Sequence, residues 1–233
     1  VAAMEQLAAA HKDPLVGACR IGMPPTIGPY LTPLLLPVIK RYLPHITLEL
    51  IEGLTDRLED RLTDGALDVA ILATSPTRTN LTEIVLYDEP FWIAMPNDHP
   101  LTDQDVVDVT QIEPGELLLL SDGHCLRDQI YDACKLDRTL TRRNGGPRTQ
   151  QTSLATILAL VGAGEGITLV PAMSLASGWV TDSGIAVRSE ESGTAGRTVR
   201  LTLRKAYPRM ALVEKLADII AACLPNTVHP ARR

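Results

Sequence analysis

Leu67-Asp68-Val69-Ala70-Ile71-Leu72 decides the fold of this chain. The run is apolar on both alternating faces, as in a parallel strand covered on each side; a half-exposed antiparallel strand would alternate. Just upstream, Leu54, Leu58 and Leu62 fall on one side of a helix that Thr55 caps, and Gly65 is its natural stop. Further back, Ile46 to Ile51 alternates apolar and polar residues behind Pro44, and Leu15 to Ile21 reads as another strand. Between these two, Met23-Pro24-Pro25-Thr26-Ile27-Gly28-Pro29-Tyr30 is a rigid turn leading into a helix up to Tyr42. The order is β-α-β-α-β, a doubly wound half-domain, so the class is α/β. Open sheets of this kind bind ligands at the carboxyl ends of their strands, where the Thr26 turn falls. Thr26 can equally be a simple helix cap.

Outward from this half, Val1 to Lys12 reads as a helix that ends before Asp13-Pro14. Leu81 to Tyr87 and Phe91 to Met95 read as two strands broken at Asp88-Glu89-Pro90, the place for a domain crossover. Val106 to Glu113 reads as a short helix and Leu117 to Leu120 as a buried strand. Thr152-Ser153 caps an apolar helix from Leu154 to Val161, and Gly162, Gly164 and Gly166 turn the chain into Ile167 to Val170. Pro171 then opens another short helix. That glycine spacing follows a helix instead of joining a strand to a helix, which excludes a dinucleotide fingerprint. Finally, Val199, Leu201 and Leu203 alternate with polar residues, and an amphipathic helix from Pro208 carries Met210, Val213, Leu216, Ile220 and Cys223 on its apolar stripe.

The chemistry concentrates in Ser121-Asp122-Gly123-His124-Cys125-Leu126-Arg127-Asp128-Gln129, followed nine positions after Cys125 by Cys134. Leu126 to Cys134 contains neither Pro nor Gly and tolerates a helix. Cys125 then lies in its first turn, capped by Asp122, where free amides and the positive end of the helix dipole favour a thiolate. His124 and Arg127 add donors or positive charge. Free cysteine is also commonly a small buried hydrophobe, and Cys19 and Cys223 fit that description. The four cysteines contain no Cys-x-x-Cys pair, so no metal site is expected.

Composition sets the outer limits. A chain of 233 residues with 45% hydrophobic and 21% charged residues buries a full core as one large domain or two small ones. No apolar run approaches the ~18 residues of a membrane span, and the start lacks a signal-peptide layout, so the expected location is cytoplasmic and away from membranes. A net charge of −6 argues against a nucleic-acid surface on this chain. The one dense cationic run, Arg138 to Arg148, reads as a solvated loop.

Leu67-Asp68-Val69-Ala70-Ile71, Pro25-Thr26-Ile27 and Gly164-Glu165-Gly166-Ile167-Thr168-Leu169-Val170-Pro171 together resemble the effector-binding domain of LysR-type transcriptional regulators. Pro25 to Tyr30 and Asp122 to Gln129 are similar to the hydrogen-peroxide-sensing members of that family, and the likeness runs from about Val16 to Cys223. The resemblance implies two Rossmann-like lobes in a periplasmic-binding-protein-like fold. Residues 1–13 would end a linker helix, 14–88 with 194–233 would form subdomain I, and 89–193 subdomain II. It further implies no cofactor and no enzyme, a dimer of this domain within a tetrameric regulator, and DNA binding through a helix-turn-helix absent from this chain. Cys125 corresponds to the peroxidatic cysteine and Cys134 to the resolving one. Thr26, Thr55, His124, Asp128 and Arg197 correspond to residues lining or supporting the peroxide pocket. A thiol peroxidase, or a domain that binds an organic effector, would be the alternative.

One consequence needs no family. Nine residues of helix make about two and a half turns and rise about 13.5 Å. A disulfide needs Cα atoms within about 7 Å. If the interval is helical, joining Cys125 to Cys134 requires it to unwind.

Overall fold

The computed structural model describes residues 13–137, 150–151, 153–176 and 184–231. The expected helix over Val1 to Lys12, the cationic loop from Arg138 to Arg148 and the Thr152 cap lie outside the described residues. In chain order the elements begin with β1 (Gly17–Met23), α1 (Gly28–Tyr42), β2 (Ile46–Glu52), α2 (Thr55–Thr63), β3 (Val69–Leu72) and the long β4 (Leu81–Pro96). There follow β5 (Val106–Val107), β6 (Leu119–Leu120), α3 (Cys125–Ala133), β7 (Gln150–Gln151) and α4 (Leu154–Gly162). The chain closes with β8 (Thr168–Pro171), β9 (Ile185–Glu190), β10 (Gly196–Arg204), α5 (Met210–Cys223) and β11 (His229–Pro230). They form two compact α/β units, Val1–Tyr87 with Thr198–Arg233 and Asp88–Arg197, and β4 and β10 are the strands through which the chain passes from one to the other.

In the first unit β2, β1 and β3 are parallel, with Gly17 to Met23 in register with Ile46 to Glu52, and Ile21 opposite Val69. β10 continues the sheet antiparallel to β3, Leu203 facing Val69. All four residues of β3 are buried, as the apolar run requires of a strand covered on both faces. Leu58, Leu62, Leu67, Ala70, Leu72 and Leu81 form one core cluster under α2. The helix approaches so closely at Gly22 that a Cβ there would stand 2.6 Å from Leu67 Cδ1 and 2.9 Å from Leu58 Cδ2. Gly65 ends α2 in the left-handed region at φ +73°. Thr55, in contrast, is not the cap: Leu54 holds that position in extended backbone with no side-chain bond, and Thr55 is the first helical residue.

α5 buries Leu212, Val213, Leu216, Ala217, Ile219 and Ile220, but Met210, expected on the stripe, is 41% exposed because it overhangs the start of the helix. Cys223 is half-buried at the other end, its Sγ donating to the Ile220 carbonyl at 3.3 Å.

In the second unit β4 runs between β8 and β9, antiparallel to both, and β5 is parallel to β9 with Val107 opposite Glu190. The expected break at Asp88-Glu89-Pro90 does not occur. Phe91 N donates to Ala195 O at 2.9 Å, and Gly196 passes so close that a Cβ would stand 2.7 Å from Glu89 O. A proline costs a strand only the hydrogen bond it cannot donate, and here the strand continues past it. The short helix expected over Val106 to Glu113 is replaced by β5 and a 3-10 turn, Val109–Gln111, whose first amides are capped by Asp108 Oδ1 accepting from Thr110 N at 2.8 Å. The β-branched pair Val106-Val107 goes to the edge of β9 instead of into a helix. Leu117 to Leu120 is buried throughout; Leu119 and Leu120 pair in parallel with β7, and Leu117 makes an isolated parallel bridge to Ile167.

Candidate functional site

The buried β6 delivers the chain to a turn in which Gly123 takes φ +92°, a conformation that favours glycine. His124 follows in extended backbone as the N-cap, and Cys125 is the first residue of α3. The His124 side chain makes no capping hydrogen bond. The expectation that Asp122 caps this helix is corrected: its carboxylate pairs with the Arg127 guanidinium, which also lies 5.5 Å from the Tyr131 ring centroid. Arg127 is buried, so a full ionic partner serves it better than shared amides would. His124 is buried as well, and burial pulls its pKa below the ordinary histidine value, leaving a neutral imidazole near pH 7. Cys125 is half-buried, and Asp128 is exposed three residues further along the same helical face.

Cys134 has the opposite surroundings. It is the C-cap of α3, 6% exposed, with its N–H donating to Ile130 O at 2.9 Å. Burial pushes its thiol up to about 11, and the negative charge of Glu190 adds to the effect. Lys135 then adopts φ +51°. Its amide donates to Asp132 O at 3.2 Å and the Leu136 amide to Tyr131 O at 2.9 Å, the paired bonds of a Schellman motif with lysine where glycine is usual. Between the two cysteines α3 is unbroken.

The other cysteines are also held as thiols. Burial, followed by the nearby Asp68 charge, pushes Cys19 up to about 12, and burial raises Cys223.

The remaining expected site residues fall into two groups. Thr26 and Thr55, in the first unit, follow the carboxyl ends of the adjacent strands β1 and β2, where Gly53 N donates to Met23 O at 3.2 Å. Thr26 is buried and is not the cap of α1, a position held by Ile27. The Thr55 hydroxyl is buried without a hydrogen-bond partner among the described residues. Arg197, in the second unit, is buried and ion-paired through Nε to Glu89 Oε2 at 2.8 Å, while Glu89 Oε1 accepts from Met173 N at 2.8 Å. That pair ties β10, β4 and the turn after β8 together. Sequence reasoning missed Glu89, hidden in an acidic pair before a proline, and also Glu190 and Lys135. Only the lack of a glycine after Cys134 hinted at the last of these.

Among the described residues no His, Cys, Asp and Glu cluster could hold a metal, and no helix is long and apolar enough to cross a membrane.

The model of the LysR substrate binding domain family matches residues 12–224. The probable hydrogen peroxide-inducible genes activator of Mycobacterium leprae is 35% identical over 95% of this chain and 70% of its own length. The DNA-binding transcriptional dual regulator OxyR of Escherichia coli K12 is 32% identical over 95% of this chain and 71% of its length. Among solved structures, the reduced OxyR regulatory domain from Pseudomonas aeruginosa superposes with a TM-score of 0.81 at 35% identity, covering 90% of this chain and 99% of that one. A cysteine variant of Corynebacterium glutamicum OxyR with hydrogen peroxide bound gives a TM-score of 0.84 at 32% identity, over 94% of this chain and 70% of that one.

Proposed function

The chain belongs to the LysR substrate-binding-domain family, with OxyR regulators as its relatives, and on that premise we propose that it senses hydrogen peroxide by oxidation of Cys125. One contrast carries the reading. Cys125 opens a helix half-exposed, while Cys19, Cys134 and Cys223 all have their thiols raised by burial.

The chemistry follows from that placement. The Cys125 thiolate attacks one peroxide oxygen, the O–O bond breaks, sulfur becomes a sulfenic acid, and the departing hydroxide takes a proton to leave as water. The amino end of α3, where the His124 side chain makes no capping bond, stabilises negative charge on the sulfur and on the departing oxygen. Cys134, once deprotonated, displaces hydroxide from the sulfenic sulfur to give a disulfide. Because α3 is unbroken and its ends are about 13.5 Å apart, the helix has to unwind before that bond closes. A neutral His124 is a hydrogen-bonding group here and not a cationic partner. Thr26 and Thr55 are assigned as hydroxyl donors to peroxide on the family resemblance; the unpartnered Thr55 hydroxyl supports that assignment. Asp128 and Arg197 are supporting residues, Arg197 acting through the Glu89 pair.

The oxidised form, rebuilt around the disulfide, would alter subunit packing in a cytoplasmic tetrameric DNA-binding regulator whose helix-turn-helix lies outside this chain. The test is intact-protein mass spectrometry after one equivalent of peroxide. Wild type should lose two hydrogens, Cys134→Ser should gain one oxygen, and Cys125→Ser should not change. A wild-type protein with no peroxide-dependent change at Cys125 sinks the reading.

A further inference from the structure

An ion pair closes the chain around Cys125. Asp122 stands three residues before the thiol and Arg127 two residues after it, and Arg127 Nη1 meets Asp122 Oδ1. Together with the backbone between them, the two side chains make a ring that contains Cys125 and its N-cap, His124. Inside that ring the backbone is bonded as well, with Arg127 N donating to His124 O at 3.0 Å.

The two partners are unlike. The Arg127 side chain is 8% exposed and the Asp122 side chain 69%. The guanidinium packs on the Tyr131 ring, and its buried Nη1 has no hydrogen-bond partner among the described residues beyond that ion pair. A guanidinium cannot shed its proton, so a buried one is costly without a counter-charge. An exposed carboxylate loses little when it returns to water. Asp122 is therefore the side that can let go, and Arg127 the side that suffers if it does so while still buried.

The disulfide requires α3 to unwind, and its two ends are fastened differently. The carboxyl end is held by the Schellman bonds and by the burial of Cys134. The amino end carries a half-exposed thiol, Gly123 at φ +92° and a tie to a surface carboxylate. Opening at that end carries Arg127 into water, where it needs no partner. Building on the reading of Cys125 as the thiol that peroxide oxidises, we infer that Asp122 is a positioning residue: its ion pair with Arg127 latches the Cys125 turn in the reduced form, and the latch opens when Cys125 travels to Cys134. The Cys134 thiolate then attacks the sulfenic sulfur, a sulfur–sulfur bond forms, and the hydroxide that leaves takes a proton to become water.

A latch of this kind stabilises the dithiol form alone, so it sets the equilibrium between dithiol and disulfide. Removing the carboxylate strands the Arg127 charge in the helical form and favours the disulfide. Replacing Arg127 by an apolar side chain of similar length strands nothing and favours the helix. The two substitutions act in opposite directions, which a general loosening of the turn would not produce.

The test is a redox titration of the whole chain in glutathione buffers. Two reduced glutathiones supply the electrons and hydrogens that return the Cys125–Cys134 disulfide to the dithiol, and they leave as glutathione disulfide. Alkylation and mass spectrometry count the two forms of the protein. Asp122→Asn should favour the disulfide by roughly tenfold, a midpoint about 30 mV more negative. Asp122→Glu, which keeps the charge, should stay near the parent, and Arg127→Met should move the midpoint the other way. An unmoved Asp122→Asn midpoint overturns the inference, and so does an Arg127→Met midpoint that fails to move in the opposite direction. Absence of the disulfide at every poise overturns it too. No peroxide is used, so if Cys125 proves inert to peroxide the sensor reading falls while these midpoints still decide the latch.

Discussion

At its amino end α3 begins on an extended His124 with no side-chain cap and a half-exposed thiol in the first turn. At its carboxyl end the chain wraps up in a Schellman motif around a buried thiol. The same helix thus presents its amino end and positive pole to Cys125, and its last carbonyls and negative pole to Cys134. Two chemically identical side chains nine residues apart have different surroundings, one half-exposed at the amino end of the helix and one buried at its carboxyl end. A helix of this length also separates the two sulfurs, so reactivity and distance are governed by one element. If that element melts, both controls are lost together.

The largest effect should come from loosening the helix as a whole. Leu126 is fully buried on the face of α3 that meets the core, and Leu126→Ala should cost roughly 2–5 kcal/mol of unfolding free energy. In urea the midpoint should fall, and at the same time Cys134 in the reduced protein should become alkylatable. A variant as stable as wild type would show that α3 is not held by its apolar face, and the contrast between its ends would need another cause. Lys135 offers a smaller and opposite change. A lysine in the left-handed region costs about 1–2 kcal/mol that glycine does not incur. Lys135→Gly should therefore stabilise the reduced protein by about 1 kcal/mol, less whatever backbone freedom glycine adds to the unfolded chain. Disulfide closure after a peroxide pulse should slow, while the first oxidation at Cys125 keeps its rate. Slowing of both steps alike would mean that the two ends are not separately controlled.

Much of this was legible in the residues. The apolar run before Leu72 and the spaced leucines of α2 have few other solutions, and the family match agrees with the two-lobed α/β class. Helix polarity likewise follows from knowing only that Cys125 comes first. What the sequence hid was longer in range. Thr55 and Asp122 have the right chemistry for caps, yet Asp122 pairs instead with Arg127 one helical turn on, and Thr55 enters the helix itself. Pro90 reads locally as a break, but the close passage of Gly196 lets β4 continue, and those residues are over a hundred positions apart in sequence.

The finest test concerns the amino end alone. His124 is buried and its pKa is depressed by that burial, so the unfolded chain binds the proton more readily than the folded one. In the window between the depressed folded value and the ordinary value near 6.5, the unfolded state carries more protons, and stability rises with pH. Wild type should therefore lose stability as the pH is lowered from 7.5 through 6.5 toward 5.5. His124→Asn removes the titrating group and places a good capping side chain at the N-cap, so its unfolding free energy should vary less across that range. Equilibrium urea unfolding at several pH values measures the slope for each protein, and equal slopes would remove His124 as the cause. The same acidification should leave alkylation of Cys134 governed only by its own thiol, because no part of the carboxyl end is tied to the imidazole by sequence position or by helix polarity. If Cys134 opens in step with His124 protonation, the helix responds as a single cooperative unit and its two ends differ in chemistry but not in stability.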